Sequence, residues 1–347
     1  MSGELEENDL TEKDAVPSVN NNTDDDHTSS KRQSFVNTLD HHSDRYNISV
    51  SEGLKILIII NNVKFEKVNR NLPTKKRLSE RIGSDEDVKY IKKTFTDLGW
   101  KIEEDFVLQD PSKCKIKEQI KVIQETKVPL SCIAVFIMSH GEEYDTIWAD
   151  DDCYNLKEDI IEQLAAENCP SLAGKPKMVF VQACQGGHAD SGTWVKNKIK
   201  DYSDATATPS NMATNPQKYE YVKIPNYADI FVFKAAYTGY RCFRNPKGSW
   251  FMSALCSFIS SSTQDMDLGS IALKVTESVS KKESFSDEIE NDEKKQAPMV
   301  QSTLLRKIFL KEPPETSQKK EQVDGIIARK KSSRWKRLKI YFIGEQK

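Results

Sequence analysis

The chain has 347 residues, 37% of them hydrophobic and 30% charged, which suits one α/β domain of roughly 200–250 residues with unstructured ends. Its net charge of -2 averages two unlike ends: residues 1–45 carry eleven Asp and Glu against four Lys and Arg, whereas residues 311–347 carry eleven Lys and Arg against five acids. No basic leader with an apolar core opens the chain, and no apolar run approaches the roughly 20 residues that span a bilayer, so neither a signal peptide nor a membrane helix is expected.

Residues 1–45, with runs such as NNNTDDDHTSS, lack helical or strand periodicity and read as disordered. Residues 54–60 (LKILIII) form a buried strand. Ser84 is placed to cap a helix whose first turn carries the carboxylates of SDED, with Val88, Ile91, Phe95 and Leu98 at helical spacing. Residues 101–108 read as a second strand and 116–126 as a second helix. Residues 131–138 (SCIAVFIM) are again a continuous buried strand, followed by Ser139, His140 and Gly141. A helix over 156–167 leads to a strand at 177–183 that runs into Cys184. Residues 185–223, rich in small, polar and turn residues, interrupt the pattern and read as a surface loop open to proteolysis. Strands at 229–236 and 304–310, with helices at 249–260 and 268–281, complete the series. Strands buried on both faces and separated by helices imply an α/β three-layer sandwich: a mostly parallel central sheet of about six strands with helices on both faces.

In such sheets ligands sit beyond the carboxyl ends of the strands. His140 and Cys184 each follow a strand at that end, so the topology unites residues 44 positions apart. The seven cysteines include no CxxC pair and no disulfide framework, which points to reduced thiols in a cytoplasmic protein and to no metal or cofactor. A cysteine attacks as its thiolate and needs an imidazole to take its proton and return one to the leaving amine. The globular region holds two histidines, and His188, inside a Gly-rich loop, is the poorer base. Gly141 behind His140 leaves a backbone N–H accessible, and the N–H of Cys184 is a second oxyanion donor.

Taken singly, Cys184 reads as a small buried residue and His140 as a structural one. The string QACQG at 182–186, with SHGEE at 139–143 upstream, changes that: it resembles the caspase signature. The resemblance runs from about Tyr46 to Leu310 and includes IINN at 59–62, RIGSD at 81–85, GKP at 174–176, Arg244-Asn245 and GSWF at 248–251, all in order. It implies the caspase fold and a cysteine endopeptidase that cuts protein substrates after Asp, with Cys184 as nucleophile and His140 as acid–base partner. It further implies that Arg81, Gln182 and Arg244 line the pocket for the substrate aspartate. That agrees with the need of a buried carboxylate for planar, bidentate, permanently charged partners. Phe243, Trp250 and Asn245 fall to the neighbouring subsites. Departures from the pattern are Gln185 where many relatives have Arg, Arg241 where executioner-type relatives have an aromatic, and the acidic stretch 287–293 (DEIENDE) near the fourth subsite. The last is either a source of repulsion toward acidic substrates or a solvated loop.

The resemblance also implies a zymogen: a short acidic prodomain (1–45), a large subunit (46–204), a small subunit (205–310) and a basic extension (311–347). Asp204 in DYSDA and Asp190 before Ser191 are the expected processing sites in the linker, and Asp324 before Gly325 a site of tail removal. The implied partners are an upstream initiator protease, inhibitor proteins and a second copy in a homodimer of subunit pairs, joined through the strand at 304–310. The basic block ARKKSSRWKRLK at 328–339 is compatible with nucleic acid, anionic membrane or an import receptor, hence with a nuclear as well as a cytoplasmic location, or with a solvated tail. Two further readings stay open: a non-enzymatic decoy of the same fold, and a protein whose basic tail carries its main function.

Overall fold

The computed structural model of the protein describes residues 43–191 and 224–311. Unbroken runs of β-branched and aromatic residues build its centre, a six-stranded sheet. In chain order the strands are β1 (Leu54–Asn61), β2 (Val107–Gln109), β3 (Leu130–Met138), β4 (Lys177–Gln182), β5 (Ile230–Lys234) and β6 (Met299–Ser302), arranged β6-β5-β4-β3-β1-β2. Every neighbouring pair is parallel except β5 with β6. Strands β3 and β4 are buried along their whole length, as strands covered on both faces are.

The two-residue period of a strand divides its side chains between two apolar layers. Leu57 and Ile59 face one layer with Phe136 and Phe180, covered by helices α1 (Ser84–Asp97), α3 (Trp250–Ser261) and α4 (Leu268–Ser280). Ile58 and Ile60 face the other with Val135 and Val181, covered by α2 (Lys113–Glu125) and the short helical turns Lys157–Ile161 and Glu162–Leu164. Helices α2, α3 and α4 start at side-chain caps from Ser112, Ser249 and Asp267, which satisfy first-turn N–H groups. In the first layer Phe136 stacks on Phe180 at 4.6 Å, and Phe95 meets Phe136 edge-on at 5.3 Å.

Four expectations need correction. Ser84 is the first helical residue and not the cap. Gly83 precedes it in the left-handed region (φ 87°), where a β-carbon would collide with the backbone carbonyl of Asn245. The strand at 101–108 shrinks to Val107–Gln109; before it, Lys101 pairs with Glu103, Lys92 with Glu104, and residues 104–106 form a helical turn. Residues 304–310 are not a strand. They run beside the N-terminal segment, with Lys307 N–H donating to Asp44 and Tyr46 N–H donating to Lys307, and they bury Ile308 and Leu310 in the core. The last strand is β6, at the sheet edge. Finally, the loop after Cys184 is not irregular throughout, since residues 185–190 are hydrogen-bonded to neighbouring segments.

No helix among the described residues is long and apolar enough to cross a membrane. Phe136 is fully buried between α1 and β4. Replacing it with Ala should lower the unfolding free energy by about 3–5 kcal/mol, read from urea denaturation. A loss well under 1 kcal/mol would show that this ring stack is not a core element.

Candidate active site

The candidate residues gather at the carboxyl ends of β1, β3 and β4. Asn61 and Asn62 at the end of β1 are fully buried and use their polar atoms as anchors. Asn62 Nδ2 donates to the Pro111 carbonyl at 3.0 Å, and Asn61 Oδ1 accepts from the Ser84 hydroxyl. These two residues receive Arg81, whose backbone N–H bonds to Val63 at 3.0 Å. Its Nη1 donates to the Asn62 carbonyl at 2.9 Å and to Ser84 Oγ at 2.8 Å. Arg81 is 1% exposed, yet its Nε and Nη2 have no protein partner. Burial, with Arg244 close by, pulls its pKa down to about 9. Asp87, equally buried, lies near both arginines. Burial raises its carboxyl to about 6 against the hydrogen bond it accepts from the Ser249 N–H at 2.8 Å.

His140 follows β3. Its position is fixed by backbone bonds of Ser139 N–H to Gln182 and Trp148 N–H to His140, and by the Phe65 ring at 4.9 Å. Nε2 lies 2.8 Å from the Ser79 carbonyl. A carbonyl only accepts, so Nε2 carries the proton and Nδ1 keeps its lone pair. Burial, reinforced by the Arg81 and Arg244 charges, holds the imidazole at about 4, so the ring is neutral at pH 7. Gly141 packs so tightly on the chain after β4 that a β-carbon would strike the Cys184 carbonyl. Among the described residues, the N–H groups of Gly141 and Cys184 are donated to no other protein group.

Cys184 leaves β4 on the same rim. The next residues zip onto a facing loop through four backbone bonds: Gln185 N–H to Tyr240 (2.9 Å), Gly239 N–H to Gln185 (2.7 Å), His188 N–H to Gly239 (2.9 Å) and Arg241 N–H to His188 (2.9 Å). His188 is thus tied into this zipper, its ring 6.0 Å from that of Tyr240. The zipper sets Cys242 beside Cys184, sulfur to sulfur 3.8 Å. Hydrogen bonds from the Cys242 thiol and backbone N–H, with the Arg81 and Arg241 charges, hold the Cys184 thiol below the ordinary range although burial opposes this; the Cys242 thiol moves up in turn.

His140, Cys184, Arg81 and Arg244 line one cleft of about 610 Å³, together with Phe243, Asn245 and Trp250. Arg244 Nε donates to the Ile82 carbonyl at 2.9 Å, in a short hairpin pairing Arg244–Asn245 with Gly248–Ser249. Phe243 and Trp250 face each other at 5.1 Å. Gln182 stands behind this surface: it is buried, its Nε2 donates to Cys242 Sγ at 3.0 Å, and its Oε1 has no protein partner. The acidic stretch reaches the cleft through Asn291, which accepts from Arg241 Nη1 at 3.0 Å, while Glu288 bonds back to Asn291 and Asp292 accepts from the Ser286 N–H. Sequence reasoning overlooked Cys242, Ser79, Asp87 and Gln296. The last is buried and bridges the Phe243 N–H to the Ala235 carbonyl, each at 2.8 Å. None of the four carries a spacing signal; only the fold brings them here. Asp190 is part-buried, its carbonyl accepting from Lys295 N–H at 2.8 Å. Asp204 and Asp324 lie outside the described residues. No group of three or more His, Cys, Asp or Glu suited to a metal ion occurs among the described residues.

A thiol poised toward thiolate, a neutral imidazole, two free N–H groups and two guanidinium ions, Arg81 buried and Arg244 half-buried, are the parts needed to attack a carbonyl next to an acidic side chain. The caspase domain family matches residues 54–310. The chain belongs to the caspase family. It is 31% identical to caspase-7 of Gallus gallus over 268 residues, 76% of this chain and 79% of that protein. It is 29% identical to caspase drICE of Drosophila melanogaster, over 77% of this chain and 72% of that one. Among solved structures, caspase-1 from Spodoptera frugiperda superposes with a TM-score of 0.65 at 26% identity, covering 80% of this chain and 97% of its own. This caspase is therefore a cysteine-type peptidase that cleaves after aspartate, and its six-stranded sandwich is the caspase fold.

The lowered thiol of Cys184 has a direct reading. The rate of its alkylation by iodoacetamide, followed by peptide mapping, should climb to its plateau at a pH well below the roughly 8.5 of a free cysteine. A profile centred at or above that value would contradict the electrostatics described above.

Proposed function

We propose that this caspase is an executioner-type endopeptidase in which Cys184 attacks the main-chain carbonyl of a substrate aspartate and His140 manages the protons. His140 Nδ1 takes the thiol proton when needed and delivers it to the leaving amine, while the bond to Ser79 keeps the ring oriented. The Gly141 and Cys184 N–H groups receive the oxyanion. Arg81 and Arg244 hold the aspartate carboxylate, and Gln182 braces that pocket from behind through Cys242. Phe243, Trp250 and Asn245 contact the residues preceding the aspartate. The observation that carries this reading is the buried Arg81 guanidinium with two unpartnered donors in the cleft of Cys184. An unpaired buried charge is unfavourable, and a bidentate carboxylate relieves it.

Proteolytic activation fits the same reading. Cleavage after Asp204, Asp190 or both divides the chain into a large and a small subunit, and an upstream protease performs the first cut in the setting of apoptosis. Cutting after Asp190 requires release of its bond to Lys295, so that site depends on local opening. Dimerisation is assigned to β6, whose outer residues 300–302 are exposed at the sheet edge. The basic extension, cytoplasmic or nuclear location and cleavage at Asp324 complete the proposal, with nucleic acid, anionic membrane or an import receptor as the tail's partner.

Purified wild-type protein should cleave fluorogenic tetrapeptides ending in Asp and ignore those ending in Asn, and Cys184→Ala should abolish turnover. Arg81→Lys should lower kcat/KM on the Asp peptides by about 10²-fold, the loss expected when a bidentate buried pair is broken. Equal turnover of Asp and Asn peptides would refute the pocket assignment. During autoprocessing, the double variant Asp190→Ala, Asp204→Ala should remain a single chain on denaturing gels; normal maturation of that variant would move the cut elsewhere.

A further inference from the structure

Cys242 forms no bond to substrate in the mechanism above and acts only on the Cys184 thiol and through Gln182, yet its sulfur faces that of Cys184 across 3.8 Å. The four backbone bonds between residues 185–188 and 239–241 hold the two loops together, and the Gln182 amide pins the Cys242 sulfur from behind at 3.0 Å. Both sulfurs belong to half-buried residues that line the open cleft, so a small solute reaches them. A disulfide has a sulfur–sulfur distance of about 2.05 Å, so side-chain movement of less than about 2 Å closes the gap.

We propose that Cys184 and Cys242 form a redox-modification site at which a hydroperoxide produces an intramolecular disulfide. The Cys184 thiolate attacks one oxygen of hydrogen peroxide, the O–O bond breaks, and the departing hydroxide takes a proton to leave as water. Cys184 is now a sulfenic acid. The Cys242 sulfur then attacks the Cys184 sulfur, the S–O bond breaks, and the second hydroxide leaves as water with the Cys242 proton. Two thiols lose two electrons and one peroxide becomes two waters. The product blocks the attacking sulfur, yet a thiol reductant reverses it. It also intercepts Cys184 before oxidation proceeds to the sulfinic acid, which does not revert. Because residues 192–223 lie between the two cysteines, a chain cut within that segment would stay covalently joined through this bond.

The link itself rests on geometry alone; its effect on activity rests on Cys184 being the nucleophile. The test treats the full-length protein with hydrogen peroxide, caps free thiols with iodoacetamide and maps peptides without reduction. The expected result is a linked pair of peptides carrying Cys184 and Cys242, two hydrogen atoms lighter than their sum. Peptidase activity should fall in proportion to that product and return to its starting value with dithiothreitol. In Cys242→Ser, compared with its own untreated activity, the same dose should give a loss that dithiothreitol does not reverse and a sulfinic Cys184. Wild-type protein with sulfinic Cys184 and a capped, unlinked Cys242 would overturn the proposal, and this readout stands even if the variant folds poorly. A linked peptide with undiminished activity would support the site and defeat the nucleophile assignment instead.

Discussion

The architecture of this cleft turns on one unfavourable arrangement: a guanidinium, that of Arg81, withdrawn from water and given only part of the hydrogen bonding it needs. Nη1 is satisfied by the Asn62 carbonyl and Ser84 Oγ, whereas Nε and Nη2 have no protein partner. A second guanidinium, Arg244, stands near enough to depress its pKa, and the nearest compensating carboxyl, Asp87, is itself raised by burial. Such a group persists only because its surroundings over-determine it, and here those surroundings are the ends of β1 and the start of α1. In the proposed mechanism the substrate carboxylate supplies the missing charge and acceptors, so the binding energy is directed at aspartate and not at its neutral analogues.

The same arrangement explains why the two halves of the chain must stay in register. Arg81, His140 and Cys184 come from the chain before residue 191, and Arg244, Phe243 and Trp250 from the chain after residue 224. At the cleft they are joined by the backbone zipper of 185–188 on 239–241, the Ser249 N–H on Asp87, the Arg244 guanidinium on the Ile82 carbonyl and the Gln182 amide on Cys242, in addition to the pairing of β4 with β5. Gly83 is needed at that seam because the backbone of Asn245 occupies the space a side chain would take. These bonds link groups on either side of residues 192–223.

Much of this was readable from residues alone. Continuous apolar runs located β1, β3, β4 and β5, and helical spacing located the four helices, because tertiary burial and local periodicity agree there. The sheet-end rule brought His140 and Cys184 to one rim, and the resemblance to caspases placed both arginines. Reading failed where tertiary contacts override local pattern. Residues 304–310 look like a strand, but their backbone pairs with residues 44–46, and Ile308 and Leu310 alone are buried in the core while Leu305 is exposed. Ser84 looks like a cap, but its hydroxyl is used between Asn61 and Arg81. Cys242 and Asp87 carry no spacing signal at all, since their meaning depends on neighbours distant in the chain.

The central claim is that the unpartnered face of Arg81 receives the acidic side chain of a substrate held on Cys184. A crystal structure of the protein covalently trapped by a tetrapeptide aldehyde ending in Asp tests this most directly. The account predicts a thiohemiacetal on Cys184 Sγ, its oxygen against the Gly141 and Cys184 N–H groups, with the aspartate carboxylate hydrogen-bonded by Arg81 and Arg244. A trapped peptide whose carboxylate points to solvent, or an adduct on a different cysteine, would contradict it.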